Sequence, residues 1–266
     1  MKRKQEIIIG IIVIIVTVII LGYILVENIN KKENSIESID TNIELDNSDE
    51  DIDWLNYEMK NLTLTESITI TEEGIYELSG EITNGMITVN TKGNVKLILN
   101  NVTITNESGP TIYIKNAKNT VIYLKEETTN TLEDSSNYQT DEDINATIYS
   151  KDNLIFDGSG TLVIKANYQD GIVSKDNLKI KNGTFNITSI DDSIKGKDSV
   201  YIIDGNFNIT SGGDGIKSTN TSDKDKGYVY IENGNFEIDA TLDGIQAETK
   251  LLIKHGNYIL LHNPFH

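Results

Sequence analysis

The chain has 266 residues and a formal net charge of −18, from 41 acidic and 23 basic residues. A surface of that sign repels nucleic acid, which excludes DNA and RNA as partners, and it suits cations or ligands that a cation can bridge. Cysteine is absent, which removes disulfides, cysteine zinc sites and a lipid-modified N-terminal Cys, and two prolines stand against abundant Ile, Thr, Asn and Gly, a composition of strands and turns.

Lys2, Arg3 and Lys4 precede residues 7–26, an uncharged apolar run of about the length that crosses a bilayer as a helix. The basic flank predicts a cytoplasmic tail over 1–6 and a single-pass anchor in the cell membrane over 7–26, with an extracellular C-terminal domain. A cleaved signal peptide is the competing reading, but the run is long for one and Glu27-Asn28-Ile29-Asn30 offers no small-x-small cleavage site. Residues 27–57 are polar and acidic, with Asp49, Glu50, Asp51 and Asp53 near their end, and predict a flexible stalk. Trp54 and Tyr57 mark the start of folded structure, as a lid on the first coil of a domain over 58–266.

From residue 58 the pattern is β. Leu62 and Leu64, Ile68 and Ile70, Ile87 and Val89, Val95, Leu97 and Leu99, then Ile112 and Ile114 fall on alternate positions, the period of strands with one face buried. Residues 126–145 lack this alternation and predict a long loop leaving the fold. Beyond it the units align on Gly183, Gly205, Gly234 and Gly256, at spacings of 22, 29 and 22. Leu178/Ile180, Val200/Ile202, Val229/Ile231 and Leu251/Ile253 precede these glycines, and Phe185/Ile187, Phe207/Ile209, Phe236/Ile238 and Tyr258/Leu260 follow them. The Asn-Gly, Asp-Gly and His-Gly corners supply the positive φ of a sharp bend.

A repeat of this length is that of a solenoid, in which equivalent positions stack. A doubly wound sheet is excluded because no amphipathic helix lies between the strands, and a sandwich does not explain one fixed corner in every unit. The expected fold is all-β: a single-stranded right-handed parallel β-helix of about nine or ten coils, preceded by the transmembrane helix. The chain stops at Asn263-Pro264-Phe265-His266, just past a strand. An open coil end exposes strand edges, so the tail is expected to cap it, a partner to cover it, or the chain to be a shortened form of a longer protein.

One phrase opens each late unit: Asp170-Gly171-Ile172, Asp192-Ser193-Ile194, Asp214-Gly215-Ile216 and Asp243-Gly244-Ile245. Stacked about 4.8 Å apart, neighbouring carboxylates repel by about 3 kcal/mol at an effective dielectric near 20. Asp191 adds a fifth charge beside Asp192. Two agents can neutralise the column. Lys195 and Lys217 sit three residues after their aspartates, with Val173 and Gln246 at the same repeat position; Lys195, Lys217 and Gln246 are therefore ligand-facing candidates. The other agent is calcium, which takes six to eight oxygen ligands from carboxylates, carbonyls and water, with Asp170, Asp191, Asp192, Asp214 and Asp243 as candidate ligands. The competing reading is that Asp-Gly is a turn, closed by the Asp side chain. His255, His262 and His266 follow no zinc-ligand pattern. Tyr149, Tyr168, Tyr201, Tyr228 and Tyr230 point outward and are candidates for stacking on sugar rings.

The phrases GIYELSG, KLILNNVTITN, GPTIYIKNAKNTVIYL, GSGTLVIKANYQDGIVSKDNLKIKNGTFNIT, DDSIKGKDSVYI and SGGDGIKST, spread over roughly 58–260, resemble the bacterial carbohydrate-binding β-helix family typified by a clostridial cell-surface protein that binds cellulose and polygalacturonic acid. The resemblance implies a pectate-lyase-like parallel β-helix with bound calcium, and carries the calcium role to Asp170, Asp191, Asp192, Asp214 and Asp243. Asp192 is followed by Ser193 where the family usually shows Gly, and the chain stops before the extra coils of many members. The expected function is a membrane-anchored, calcium-assisted, non-catalytic module that binds a pectin-type or cellulosic polysaccharide. A calcium-dependent polysaccharide lyase, with Lys195 or Lys217 as base, and a structural or adhesive surface protein are the alternatives. A lysine base is disfavoured because the surrounding carboxylates raise its pKa.

Overall fold

In the computed structural model, which describes residues 43–49, 52–140 and 142–262, regular structure is almost wholly β-strand and every strand pairing is parallel. A 15-stranded sheet and an 8-stranded sheet share the chain. The coil that starts at Asp170 runs through the strands Asp170–Ser174, Asn177–Ile180 and Thr184–Ser189. The next coil lays Ile194–Gly196, Ser199–Ile202 and Asn206–Ser211 on these in register. This is the all-β, parallel stacking expected of a β-helix.

The runs before and after each corner glycine are two of the three strands in a coil. The Asp-x-Ile phrase supplies the third. Ile172, Ile194, Ile216 and Ile245 stack within the 8-stranded sheet. Ile194–Gly196 and Ile216–Ser218 have three residues each, too short for alternation to register in sequence. Gly183, Gly205, Gly234 and Gly256 take φ of +134°, +143°, +140° and +126°, a conformation that L side chains resist.

The interior is apolar. Phe185 and Phe207 stack at 5.1 Å and 5°, Phe207 and Phe236 at 4.7 Å and 1°, and Phe236 and Tyr258 at 4.8 Å and 2°. The separation of the rings is the separation of the strands that carry them.

Thr129–Asp134 departs from expectation. It lies in the stretch predicted to be a loop, yet it is a strand between Asn94–Asn106 and Thr161–Ala166. Its inward side chains are Asn130, Leu132 and Asp134, so two of the three are polar and no apolar alternation shows. Hydrogen bonds make their burial tolerable: Asn130 Oδ1 accepts the Val102 N–H at 2.9 Å, and Asp134 accepts from the Tyr138 hydroxyl at 2.6 Å, the Thr147 hydroxyl at 2.8 Å and the Asn167 N–H at 2.5 Å.

The expected tail over 1–6, the anchor over 7–26 and the stalk as far as residue 42 lie outside the described residues, among which no helix is long and apolar enough to cross a membrane. Residues 43–49, assigned by sequence to the stalk, lie against the outer face of the strands around Lys179, with Asp49 buried. Trp54–Asn56 forms a 3-10 turn, and the Trp54 and Tyr57 rings meet at 5.6 Å.

Candidate functional site

In each late coil the aspartate stands at or just before the strand of the 8-stranded sheet, and Asp170, Asp192 and Asp214 each clamp the coil that follows. Asp170 Oδ1 accepts the Asp192 N–H at 3.0 Å, Asp192 Oδ1 accepts the Asp214 N–H at 2.9 Å, and Asp214 Oδ1 accepts the Asp243 N–H at 2.8 Å. The other oxygens face lysine. Lys195 Nζ lies 2.8 Å from Asp170 Oδ2 and 2.7 Å from Asp192 Oδ2, and Lys217 Nζ lies 2.6 Å from Asp214 Oδ2 and 3.7 Å from Asp192 Oδ2. Acid and base therefore alternate along the edge, which offsets the repulsion of a bare carboxylate column. Val173, Lys195, Lys217 and Gln246 hold equivalent positions on adjacent strands. The Asn145 amide donates to Asp170 Oδ2 at 2.5 Å. Asn145 Oδ1 and Gln246 Oε1 are buried without a hydrogen-bond partner among the described residues.

Asp170 has no exposed surface. Burial pushes its carboxyl up to about 6, against the pull of Lys195 and with the push of Asp192 and Asp191. Burial opposes the charge on Lys195, but Asp170 and Asp192 outweigh it and hold this lysine above its ordinary value. Lys217 follows the same balance with Asp214 and Asp192. Burial and then Asp192 raise Asp191. A carboxyl raised in the folded state contributes stability that is present below the ordinary carboxylate range and lost as pH rises through the folded value, here about 6. Asp170→Asn cannot ionise, and its amide oxygen still accepts the Asp192 N–H. In chelator it is expected to flatten the fall in melting temperature between about pH 4 and pH 6.5. An unchanged slope would assign that titration to another group.

Asp170, Asp191 and Asp192 each present a carboxylate oxygen within 4.8 Å of the others, with Asp191 nearest solvent. A Cβ on Gly213 would lie 2.4 Å from Asp191 Oδ1 and 2.8 Å from Asp192 Oδ1, so glycine leaves room where these two oxygens converge. A hard donor set, a cradle that a side chain would fill and the unpartnered Asn145 oxygen together fit an oxygen-seeking cation. Asp214 and Asp243 continue the ladder but stand outside this cluster. They open with Lys217, Gln246, Leu260 and His262 onto a concavity of about 750 Å³.

The tyrosines differ from expectation. Tyr149, Tyr201, Tyr228 and Tyr230 point away from the core but are buried, because other parts of the chain cover the sheets' outer faces. Tyr149 packs with Tyr113, Ile144 and Val173. Tyr201, Tyr228 and Tyr230 lie against Ile43 and Leu45, and Tyr168 stacks on Tyr138 at 4.2 Å. His255 and His262 are exposed, and His266 lies outside the described residues.

A polar groove escaped the sequence reading. Asn257 donates to Asn235 Oδ1 at 2.8 Å and Asn235 to Asn206 Oδ1 at 2.9 Å, beside a cavity of about 240 Å³ that Asn186, Asn208 and Glu237 also line. Its signal was present: Asn206, Asn235 and Asn257 each stand one residue before a core aromatic.

A family model described as carbohydrate-binding domain-containing protein matches residues 65–263. A curated Acetivibrio thermocellus protein of the same description is 35% identical over 126 residues, 45% of this chain and 44% of that protein, so the match spans less than half the relative's length. A solved structure described as a polysaccharide lyase-like protein from C. thermocellum, in a gadolinium derivative, superposes with a TM-score of 0.68 and 32% identity, covering 73% of this chain and 90% of that one.

Proposed function

The chain belongs to the carbohydrate-binding domain-containing family, and on that premise we propose that its β-helix is a non-catalytic polysaccharide-binding module that uses calcium at the aspartate edge. The observation that carries the reading is the convergence of the Asp170, Asp191 and Asp192 carboxylates beside Gly213. These three residues would hold the ion. Calcium held there would supply positive charge toward a uronate carboxylate or sugar hydroxyls. The chain's own part is to hold the carboxylates in place through the N–H bonds of successive coils and to offset the remaining charge with Lys195 and Lys217. The gadolinium used with the solved relative is likewise a hard, oxygen-seeking cation. The apolar run over 7–26 belongs to the same proposal as a membrane anchor that presents the module outside the cell, on sequence grounds alone.

The solved relative's description as lyase-like favours β-elimination as the second reading. That reaction needs an unprotonated base near the sugar, which for a lysine means the neutral amine. Without a bound cation, Lys195 and Lys217 are both held above their ordinary pKa by the carboxylates beside them, the wrong direction for a base at neutral pH unless calcium offsets that charge, so binding is the better reading.

The test is retention of the full chain on polygalacturonate. The clustered carboxylates of Asp170, Asp191 and Asp192 repel a polyanion at contact unless a cation bridges them, so binding is expected with calcium and is expected to vanish with chelator. Equal retention in both overturns the calcium bridge.

A further inference from the structure

Residues 43–49 hold a short acidic stretch against a face rich in lysine and tyrosine. Asp49 lies 2.8 Å from Lys179 Nζ and 3.0 Å from Lys181 Nζ, with its side chain only 5% exposed. Asn177 donates to Asp46 Oδ2 at 2.9 Å, Lys179 to Asn47 Oδ1 at 3.2 Å, and the Tyr228 hydroxyl to the Glu44 carbonyl at 3.2 Å. At the far end Ser48 donates to Asn119 Oδ1 at 3.2 Å. The stretch therefore runs across successive coils, from the strand Tyr228–Ile231 to the strand Asn119–Leu124. Ile43 and Leu45 pack on Tyr201, Tyr228 and Tyr230. The gap left beneath is about 10 Å³, space for no more than about one water molecule.

This face has the opposite character to the chain as a whole. Lys179 lies over the Tyr201 ring at 5.3 Å and Lys254 over the Tyr230 ring at 4.9 Å, while Glu232 borders Lys254 and Asp157 borders Lys96. Its polar column repeats from coil to coil: Asn119 donates to Asn94, Asn153 to Asn119 and Asn177 to Asn153, at 3.0, 3.2 and 3.2 Å. A polymer laid along the coils thus meets an amide at each step from Asn94 to Asn177, with the Lys179 ammonium and then the Tyr201 and Tyr230 rings on adjacent strands beside the end of that ladder. That regularity suits a repeating glycan, whose rings pack on tyrosine and whose carboxylates pair with lysine. A peptide, with side chains that change at every residue, gains nothing from it.

We propose that residues 43–49 are an intramolecular stand-in for a carboxylate-bearing glycan, masking a second polysaccharide site formed by Asn177, Lys179, Lys181, Tyr201 and Tyr230 that needs no calcium. The inference takes its ligand class from the proposed function but uses a different face and different chemistry. Long-range repulsion from the acidic remainder of the chain is screened beyond about 8 Å at physiological salt, so the local ammonium groups decide contact.

The test compares polygalacturonate binding by the full-length wild type and by Asp49→Asn at about 0.15 M salt, with calcium and with chelator. In chelator, Asp49→Asn is expected to bind at least about tenfold tighter than the wild type, the scale of one charge-assisted contact returned to the lysines. Adding Lys179→Met and Lys181→Ala to that variant is expected to erase the gain. Leu45→Ser, which loosens the stretch through its apolar anchor and leaves its acids intact, is expected to give a gain of the same sign, with faster hydrogen exchange over 43–49. No gain in either variant overturns the proposal, as does a gain that survives loss of the lysines. An equal gain for polyglutamate overturns the glycan assignment. Wild-type binding in calcium reports on the aspartate edge separately, so failure at one face is readable apart from failure at the other.

Discussion

Replacing Lys195 by Met is expected to lower unfolding stability by about 3–5 kcal/mol near neutral pH, the cost of leaving a buried charge without its partner. The Lys195 ammonium lies 2.8 Å from Asp170 and 2.7 Å from Asp192, and Asp170 has no exposed surface. Met keeps the length and apolar stem of lysine, so the loss reports on charge rather than on a cavity. Burial already pushes Asp170 up to about 6 while Lys195 pulls the other way. Without the ammonium the carboxyl moves higher still and takes a proton as the pH falls. The penalty is therefore expected to be larger at about pH 7.5 than at about pH 5. Chemical denaturation of wild type and Lys195→Met at the two pH values measures it. Equal gaps at both would mean that Lys195 acts by packing alone. Added calcium is expected to restore part of the lost stability in the variant, because a bound cation stabilises the folded state by mass action.

Phe207→Ala is expected to cost about 3–5 kcal/mol. The ring is 3% exposed and is sandwiched between Phe185 and Phe236, almost parallel to both. Collapse cannot refill the gap cheaply, because the strands on either side are fixed by six register pairs each. A urea transition should move to lower midpoint with an unchanged slope, and Phe207→Leu, which returns much of the volume, should lose less. A loss below about 1 kcal/mol in Phe207→Ala would show that the column is not close-packed. The same strand carries Asn206 and Asn208 into the amide-lined groove, so a slackened column also loosens the spacing of that ladder.

The parts of the fold legible in sequence are those where one side-chain property repeats at a fixed step. Leu178/Ile180 and Phe185/Ile187 mark their strands because a period of two and a buried face coincide. Gly183 and its counterparts mark their corners because no other residue takes that backbone conformation readily. Thr129–Asp134 was not legible, since Asn130 and Asp134 are buried through hydrogen bonds, and such bonds leave no local trace. Tyr201 and Tyr230 were read correctly as pointing outward, but what covers them is more than 150 residues away in the chain. The same holds for the lysine pair around Asp49, made across |i−j| of 130 and 132.

By itself the sequence determined the coil. The Asp-x-Ile phrase recurring at 22, 22 and 29 residues forces equivalent side chains into columns, because in a stacked solenoid register follows from period. Only the tertiary structure decided what each column faces. It showed that Asp170, Asp192 and Asp214 each spend one oxygen on a backbone N–H of the next coil and another on lysine, and that Asp191 joins Asp170 and Asp192 beside Gly213. It also showed that an acidic stretch far upstream lies over the tyrosines. Periodicity carries information about neighbours one coil apart, whereas the partner of a charge depends on distances in space that no local pattern encodes.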